Sequence, residues 1–221
     1  TWFCTVQSNS GYQHQVQHFH VRTAAKHIIN ASPAERTVMY KNGNTNDIIR
    51  VIMYADSKSA QYINRAAVSN LQGGDDYATL ENIFYFVRDS LQYRTDRPGR
   101  EEVRSPGYLF QSGTGDCKSY SVATGALCRA FGIPYRYRFT APGTGNFQHV
   151  YVVATIPGRG DVVMDSVYGH FDREARYARK RDVKPGSAAA IGAIGSGLTS
   201  GSWIIFLLIG IWLLSAKKIN Q

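Results

Sequence analysis

Three groups that together can open an amide bond occur in order along this chain: the thiol of Cys117, the imidazole of His149 and the carboxylate of Asp165. Cys117 follows Gly113-Thr114-Gly115-Asp116 and opens a run in which Val122, Ala126, Leu127, Ala130 and Phe131 fall on one face of a helix. It therefore stands in a first helical turn, where unpaired N–H groups and the helix dipole favour a thiolate over a thiol. Asp116 could hinder the thiolate by repulsion, but reads first as the cap of that helix. Cys128, deeper in the same apolar rhythm, reads as a buried structural cysteine, which is also the plain alternative for Cys117. A nucleophilic thiol needs a base to take and return its proton, and the base needs a group that orients it.

His149 begins the strand-like run HVYVVATI, and Asp165 lies in the next one, VVMDSV. In an antiparallel hairpin, side chains share a face only when the register has the right parity. An odd-length loop around Pro157 to Arg159 satisfies that condition for this pair. A five-residue loop centred on Pro157 sets the two directly opposite. A three-residue loop centred on Gly158 makes them diagonal neighbours, roughly 7 to 8 Å apart at Cα. Either permits a His–Asp hydrogen bond. His170 is the rival base, but it follows the strand in a Tyr-Gly-His turn, so His149 is preferred.

The elements that must hold these groups are partly readable. Leu80, Ile83, Phe84, Val87 and Leu91 give a helix opened by Asp76. A charged loop runs through Arg104 and Pro106, the Cys117 helix ends at Gly132 and Pro134, and strands follow at 133–140, 149–156 and 162–168. In the first of these, Tyr135, Tyr137 and Phe139 alternate with Arg136 and Arg138. Upstream, 47–71 reads as two helical pieces divided near Ser57, and residues 1–45 are the least legible. Helices followed by adjacent strands predict an α+β fold with helices packed on an antiparallel sheet.

The blocks Gly-Asp-Cys-Lys-Ser-Tyr-Ser, Leu-Cys-Arg-Ala-Phe-Gly-Ile-Pro-Tyr-Arg, His-Val-Tyr-Val and Val-Met-Asp-Ser-Val, in this order, resemble the transglutaminase-like group of the papain-like cysteine enzymes, over Asp76 to about Val167. The resemblance implies a nucleophile at Cys117, a general base and acid at His149 and an orienting carboxylate at Asp165. Gln111, six residues before the cysteine, has the spacing of the oxyanion glutamine of papain-like enzymes; an ordinary loop amide is the alternative. Two departures bear on substrate choice: Lys118 stands where the family commonly has an aromatic residue, and His-Val-Tyr replaces its usual His-Ala-Trp. Peptidase, amidase and cross-linking transglutaminase chemistry share these residues, with hydrolysis preferred. A structural or adaptor protein that keeps the fold without turnover is the competing class.

Composition bounds the rest. With 221 residues, 43% of them hydrophobic, the chain is no disordered or low-complexity protein. Its three cysteines make no disulfide framework and point to reducing surroundings. The formal charge is +9, and much of the excess sits at Arg173, Arg176, Arg179, Lys180, Arg181 and Lys184. From Pro185 to Ala216 there is no charged residue, and the stretch ends in WIIFLLIGIWLL. A membrane helix needs roughly 20 apolar residues.

The expected organisation is an N-terminal layer at 1–75, a catalytic core at 76–172, a basic linker at 173–187 that meets anionic lipid, a transmembrane segment at 188–216 and a tail at 217–221. The positive flank predicts a cytoplasmic soluble part, and short proteins of this kind in bacteria and their phages leave a virion membrane open. A chain that starts at Thr1 leaves a processed N-terminal segment open as well. No nucleic acid is expected: such a site would want basic residues interleaved with aromatics on a folded face, whereas the main basic cluster directly precedes the apolar segment. No cofactor or metal is implied: the His14, His18, His20 and His27 cluster lacks Cys or carboxylate at ligand spacing and reads as a polar face rather than a metal site.

Overall fold

Asparagine at position 44 starts the first long helix by a reciprocal cap: its side chain accepts the amides of Asn46 and Asp47, and Asp47 accepts the Asn44 amide in return. This helix, α1 (Thr45–Lys58), buries Ile48, Ile49, Ile52 and Met53. In the computed structural model, which describes residues 27–32, 36–40, 44–97 and 100–187, three more helices follow: α2 (Asp76–Ser90), α3 (Pro106–Ser112) and α4 (Cys117–Ala130). The cap of α2 is Asp75, whose carboxylate accepts the Ala78 amide at 2.7 Å; Asp76 is already helical. The apolar rhythm predicted for α2 is the face it buries.

Helix α4 departs from the one-faced helix expected. Every residue from Cys117 to Cys128 is buried, because α1, α2 and α3 lie against it on one side and strands on the other. Its Ala, Ser, Thr and Gly residues permit close approach all round. A Cβ at Gly125 would lie 2.6 Å from the Tyr137 hydroxyl.

The main sheet has four antiparallel strands in the order β7-β6-β5-β8: β5 (Tyr135–Ala141), β6 (His149–Ile156), β7 (Gly160–Met164) and β8 (Arg179–Val183). The β6–β7 turn is the three-residue one, Pro157-Gly158-Arg159, with Ile156 paired to Gly160. Gly158 and Gly160 take φ of +77° and +102°, which glycine adopts without strain. Two small pairs complete the strands among the described residues: β1 (Arg36–Tyr40) runs antiparallel to β3 (Arg100–Arg104), and β2 (Gln92–Tyr93) runs parallel to β4 (Thr114–Gly115).

Several sequence expectations change here. The charged loop through Arg104 and Pro106 contains β3 and α3, the latter capped by the Ser105 side chain with Pro106 in its first turn. Within the stretch 173–187 expected to be a basic linker, Arg179–Val183 is instead the fourth strand, paired to β5. Its Asp182 accepts two hydrogen bonds from Arg138 and one from Arg136. Arg138 also reaches Glu174, and Arg136 reaches Asp161. The alternating arginines of β5 thus face a layer of carboxylates, while Tyr137 and Phe139 face the helices.

The outer edge of β7 is taken up by Asp172, whose N–H and side chain bond Val163 on both its carbonyl and its amide. At the other edge β8 presents Arg179, Lys180 and Arg181. Among the described residues no helix is long and apolar enough to cross a membrane. The expected segment 188–216 lies outside the described residues, as do His14, His18 and His20; His27 is exposed.

Beneath the sheet, buried Asp56 joins three elements. The Tyr135 and Tyr137 hydroxyls both donate to its Oδ1 at 2.6 Å, and Arg129 near the end of α4 donates to its other oxygen and, at 2.7 Å, to its backbone carbonyl. Removing one partner from such a network leaves the others buried without a counterpart. Asp56→Ala is expected to lower stability by about 3–5 kcal/mol, read as the shift of the urea unfolding midpoint.

Candidate active site

The approach to Cys117 is guided residue by residue. Gly113, at φ +68°, ends α3, and Thr114 and Gly115 are laid alongside Gln92 and Tyr93. A Cβ at Gly115 would run into the end of the buried Leu109 side chain, which would have to shift to admit it. Asp116 then caps α4, accepting the amides of Lys118 at 3.1 Å and Ser119 at 3.3 Å. The Cys117 N–H stays outside the cap's hydrogen bonds. Ser121, one turn on, sets its hydroxyl 2.7 Å from the Cys117 carbonyl and 2.9 Å from that of Val150, which ties the first turn to β6 beside His149.

The hairpin register delivers the partner groups. The Val152–Met164 pairing, continued one step, sets Asp165 across from Tyr151 and hence diagonal to His149, the geometry predicted for a loop centred on Gly158. The His149 Nε2 lies 2.6 Å from Asp165 Oδ2. The other oxygen of Asp165 accepts the amides of Val167 and Tyr168 at 3.3 and 3.2 Å. With Nε2 committed to the carboxylate, Nδ1 remains for Cys117, whose thiol is in hydrogen-bonding contact with His149. Thiol, imidazole and carboxylate are therefore brought together as the spacing required. Exposed His170 packs edge-on against Tyr168 and stays outside the array. Gln111 is exposed near the end of α3, and no hydrogen bond ties it to the three groups.

The electrostatics differ from the sequence expectation in one respect. Cys117 is only 2% exposed. Burial pushes its thiol above the ordinary value, the His149 hydrogen bond pulls it back, and the neighbouring Asp116 adds a further push upward. Desolvation of the thiolate is the largest of these influences. The array can pass a proton from sulfur to Nδ1, and the Asp165 carboxylate stabilises the imidazolium so formed.

Sequence reasoning missed the surroundings of Lys118. It is 1% exposed, and its ammonium pairs with Glu101 at 2.8 Å, with Asp96 at 3.1 Å and with Asp116. Burial, followed by the pull of Lys118 and the repulsion of Asp96, leaves Asp116 raised to about 6, while the carboxylates hold Lys118 protonated. Asp96 and Glu101 sit in the run TDRPGREE, which by composition alone is a solvated loop.

Residues 65–166 match the model of the transglutaminase-like superfamily. No curated protein matches the sequence. Among solved structures the chain is similar to a candidate protease from Parabacteroides distasonis, at 15% identity over 52% of this chain and 26% of that one, with a TM-score of 0.39. It is also similar to a candidate cysteine protease from Cytophaga hutchinsonii, at 17% identity over 67% and 60% of the two chains, with a TM-score of 0.39. A third similar structure is Legionella pneumophila LapG, at 16% identity over 66% and 94%, with a TM-score of 0.43. The chain thus spans about a quarter of the first of these proteins and 60% of the second.

The two oxygens of Asp165 both accept hydrogen bonds, so an amide cannot replace it. In Asp165→Asn the NH2 group must face either the two backbone amides or Nε2. The second choice is the one without a donor clash, and it moves the imidazole proton to Nδ1, where it can no longer accept from sulfur. Nitrogen-15 NMR of His149 is expected to report that tautomer change, and the alkylation rate of Cys117 near neutral pH to fall about tenfold or more, one unit of thiol pKa being a factor of ten.

Proposed function

We propose that residues 65–166, a transglutaminase-like domain, work as a cysteine hydrolase that opens an amide bond of a peptide or protein through a thioester on Cys117. The observation that carries this reading is the 2.6 Å His149–Asp165 hydrogen bond with the Cys117 thiol in contact with the same imidazole. In the proposed sequence His149 Nδ1 takes the thiol proton as sulfur bonds to the carbonyl carbon and the C=O pair moves onto oxygen. The Cys117 N–H is one donor to that oxyanion, and Gln111, free to turn at the end of α3, is the proposed second. As the C–N bond breaks, the imidazolium gives its proton to the departing nitrogen. Water then loses a proton to His149, adds to the thioester and expels the thiolate, which recovers the proton. A lysine amine in the place of water gives transamidation, so dependence of product on added amine separates the two outcomes.

Anchoring belongs to the same proposal. The charge-free stretch 188–216 is assigned to a membrane, with the soluble part on the cytoplasmic side and the preceding basic residues near anionic lipid. The full chain is expected to resist alkaline carbonate extraction from membranes, and a chain ending at Ser187 to be released; release of both removes the anchor.

The burial of Cys117 supports a second reading, a structural protein that keeps the fold without turnover. Alkylation of Cys117, followed by peptide mass against pH, decides between them. His149 pulls the thiol down most, with a smaller pull from the Lys118 charge, so His149→Ala is expected to move the profile to higher pH, leaving less thiolate near neutrality and a rate lower by about tenfold or more. Overlapping profiles for the parent and His149→Ala would favour the structural protein.

A further inference from the structure

The lysine that follows the cysteine stands where three carboxylates converge. The carboxylate oxygens of Asp96, Glu101 and Asp116 lie within 4.8 Å of one another, the kind of hard-oxygen donor set that holds a divalent cation. Here the Lys118 ammonium, carried on the same chain, pairs with all three.

Each carboxylate has a second task. Asp116 caps α4 through its other oxygen. Asp96 accepts the Glu102 amide at 2.6 Å, which fixes the segment leading into β3. Glu101 belongs to β3 itself. The ammonium therefore fastens β3 and the segment before it to the first turn of α4, next to Cys117. Three carboxylates gathered without a cation repel one another and pull the cap apart.

We propose that Lys118 is a positioning residue that acts as a resident cation: it takes the part a bound divalent ion would play in holding Asp96, Glu101 and Asp116 around the Cys117 turn, and so makes that turn independent of metal. The proposal deepens the thiol-enzyme reading and rests on it for its significance, but its physical content is the exchange of an ammonium for a metal ion.

Replacing the ammonium by an apolar chain of similar length should turn the cluster into a calcium site. The experiment compares the full-length parent with Lys118→Met by calorimetric titration with calcium chloride, by thermal melting in chelator and in millimolar calcium, and by the alkylation rate of Cys117 at one near-neutral pH. The parent is expected to bind no calcium at this cluster and to keep the same melting temperature and reactivity in chelator and in calcium. Lys118→Met is expected to bind calcium, to melt higher with it, and to lose about tenfold in alkylation rate, regained when calcium is added.

A variant folded only in calcium supports the proposal; one unfolded in both conditions overturns it. So does a folded variant that binds no calcium, one that binds it without regaining reactivity, or one that keeps the parent's rate in chelator. Because calorimetry and melting read the cation exchange without any use of the thiol, a parent whose Cys117 ignores His149 would sink the enzyme reading while leaving those two arms of the test intact.

Discussion

Helix α4 is enclosed on all sides for three of its turns, and the rest of the molecule is arranged around that enclosure. A helix with no solvent face must find partners for every polar group at its start, because the first amides of a helix have none of their own. Asp116 supplies the cap, Ser121 links the first turn to the sheet, and Lys118 offsets the charge that the cap brings indoors. The same enclosure withholds water from Cys117 and raises the cost of its thiolate. Position and reactivity of the thiol are therefore two results of one burial, and His149 is the group that sets them against each other.

The sheet contributes a different kind of control. Strand register is discrete, so a slip of one residue in the β6–β7 hairpin would send His149 and Asp165 to opposite faces. The three-residue turn with its left-handed glycines removes that freedom. Asp165 is held again by two backbone amides immediately after the strand. The carboxylate is thus fixed by the chain that carries it, and the imidazole is oriented against it.

How much of this was legible depended on whether the signal was local. The α2 rhythm, the entry to α4 and the parity of His149 with Asp165 each need only a short stretch of sequence, and each appears in the structure as expected. What could not be read were charges whose partners lie far along the chain. Arg-Lys-Arg-Asp-Val gives no strand alternation by polarity, and its identity as β8 follows from Asp182 meeting Arg138, 44 residues earlier. Lys118 could be read only as a departure from the family's common aromatic residue, because the Asp96 and Glu101 that surround it lie 22 and 17 residues earlier. The β3–α3 segment could have been recovered, since Ser105 followed by Pro106 is a helix start in its own right.

The treatment of the two sheet edges reaches beyond the fold. An uncovered edge strand is a template on which another extended chain can add itself. At β7 that vacancy is filled by Asp172 through both backbone groups of Val163, and at β8 three successive basic side chains border the remaining edge. An arriving polypeptide therefore meets a bridged edge on one side of the main sheet and a basic one on the other. The same bordering guards the main sheet against polymerising with copies of itself.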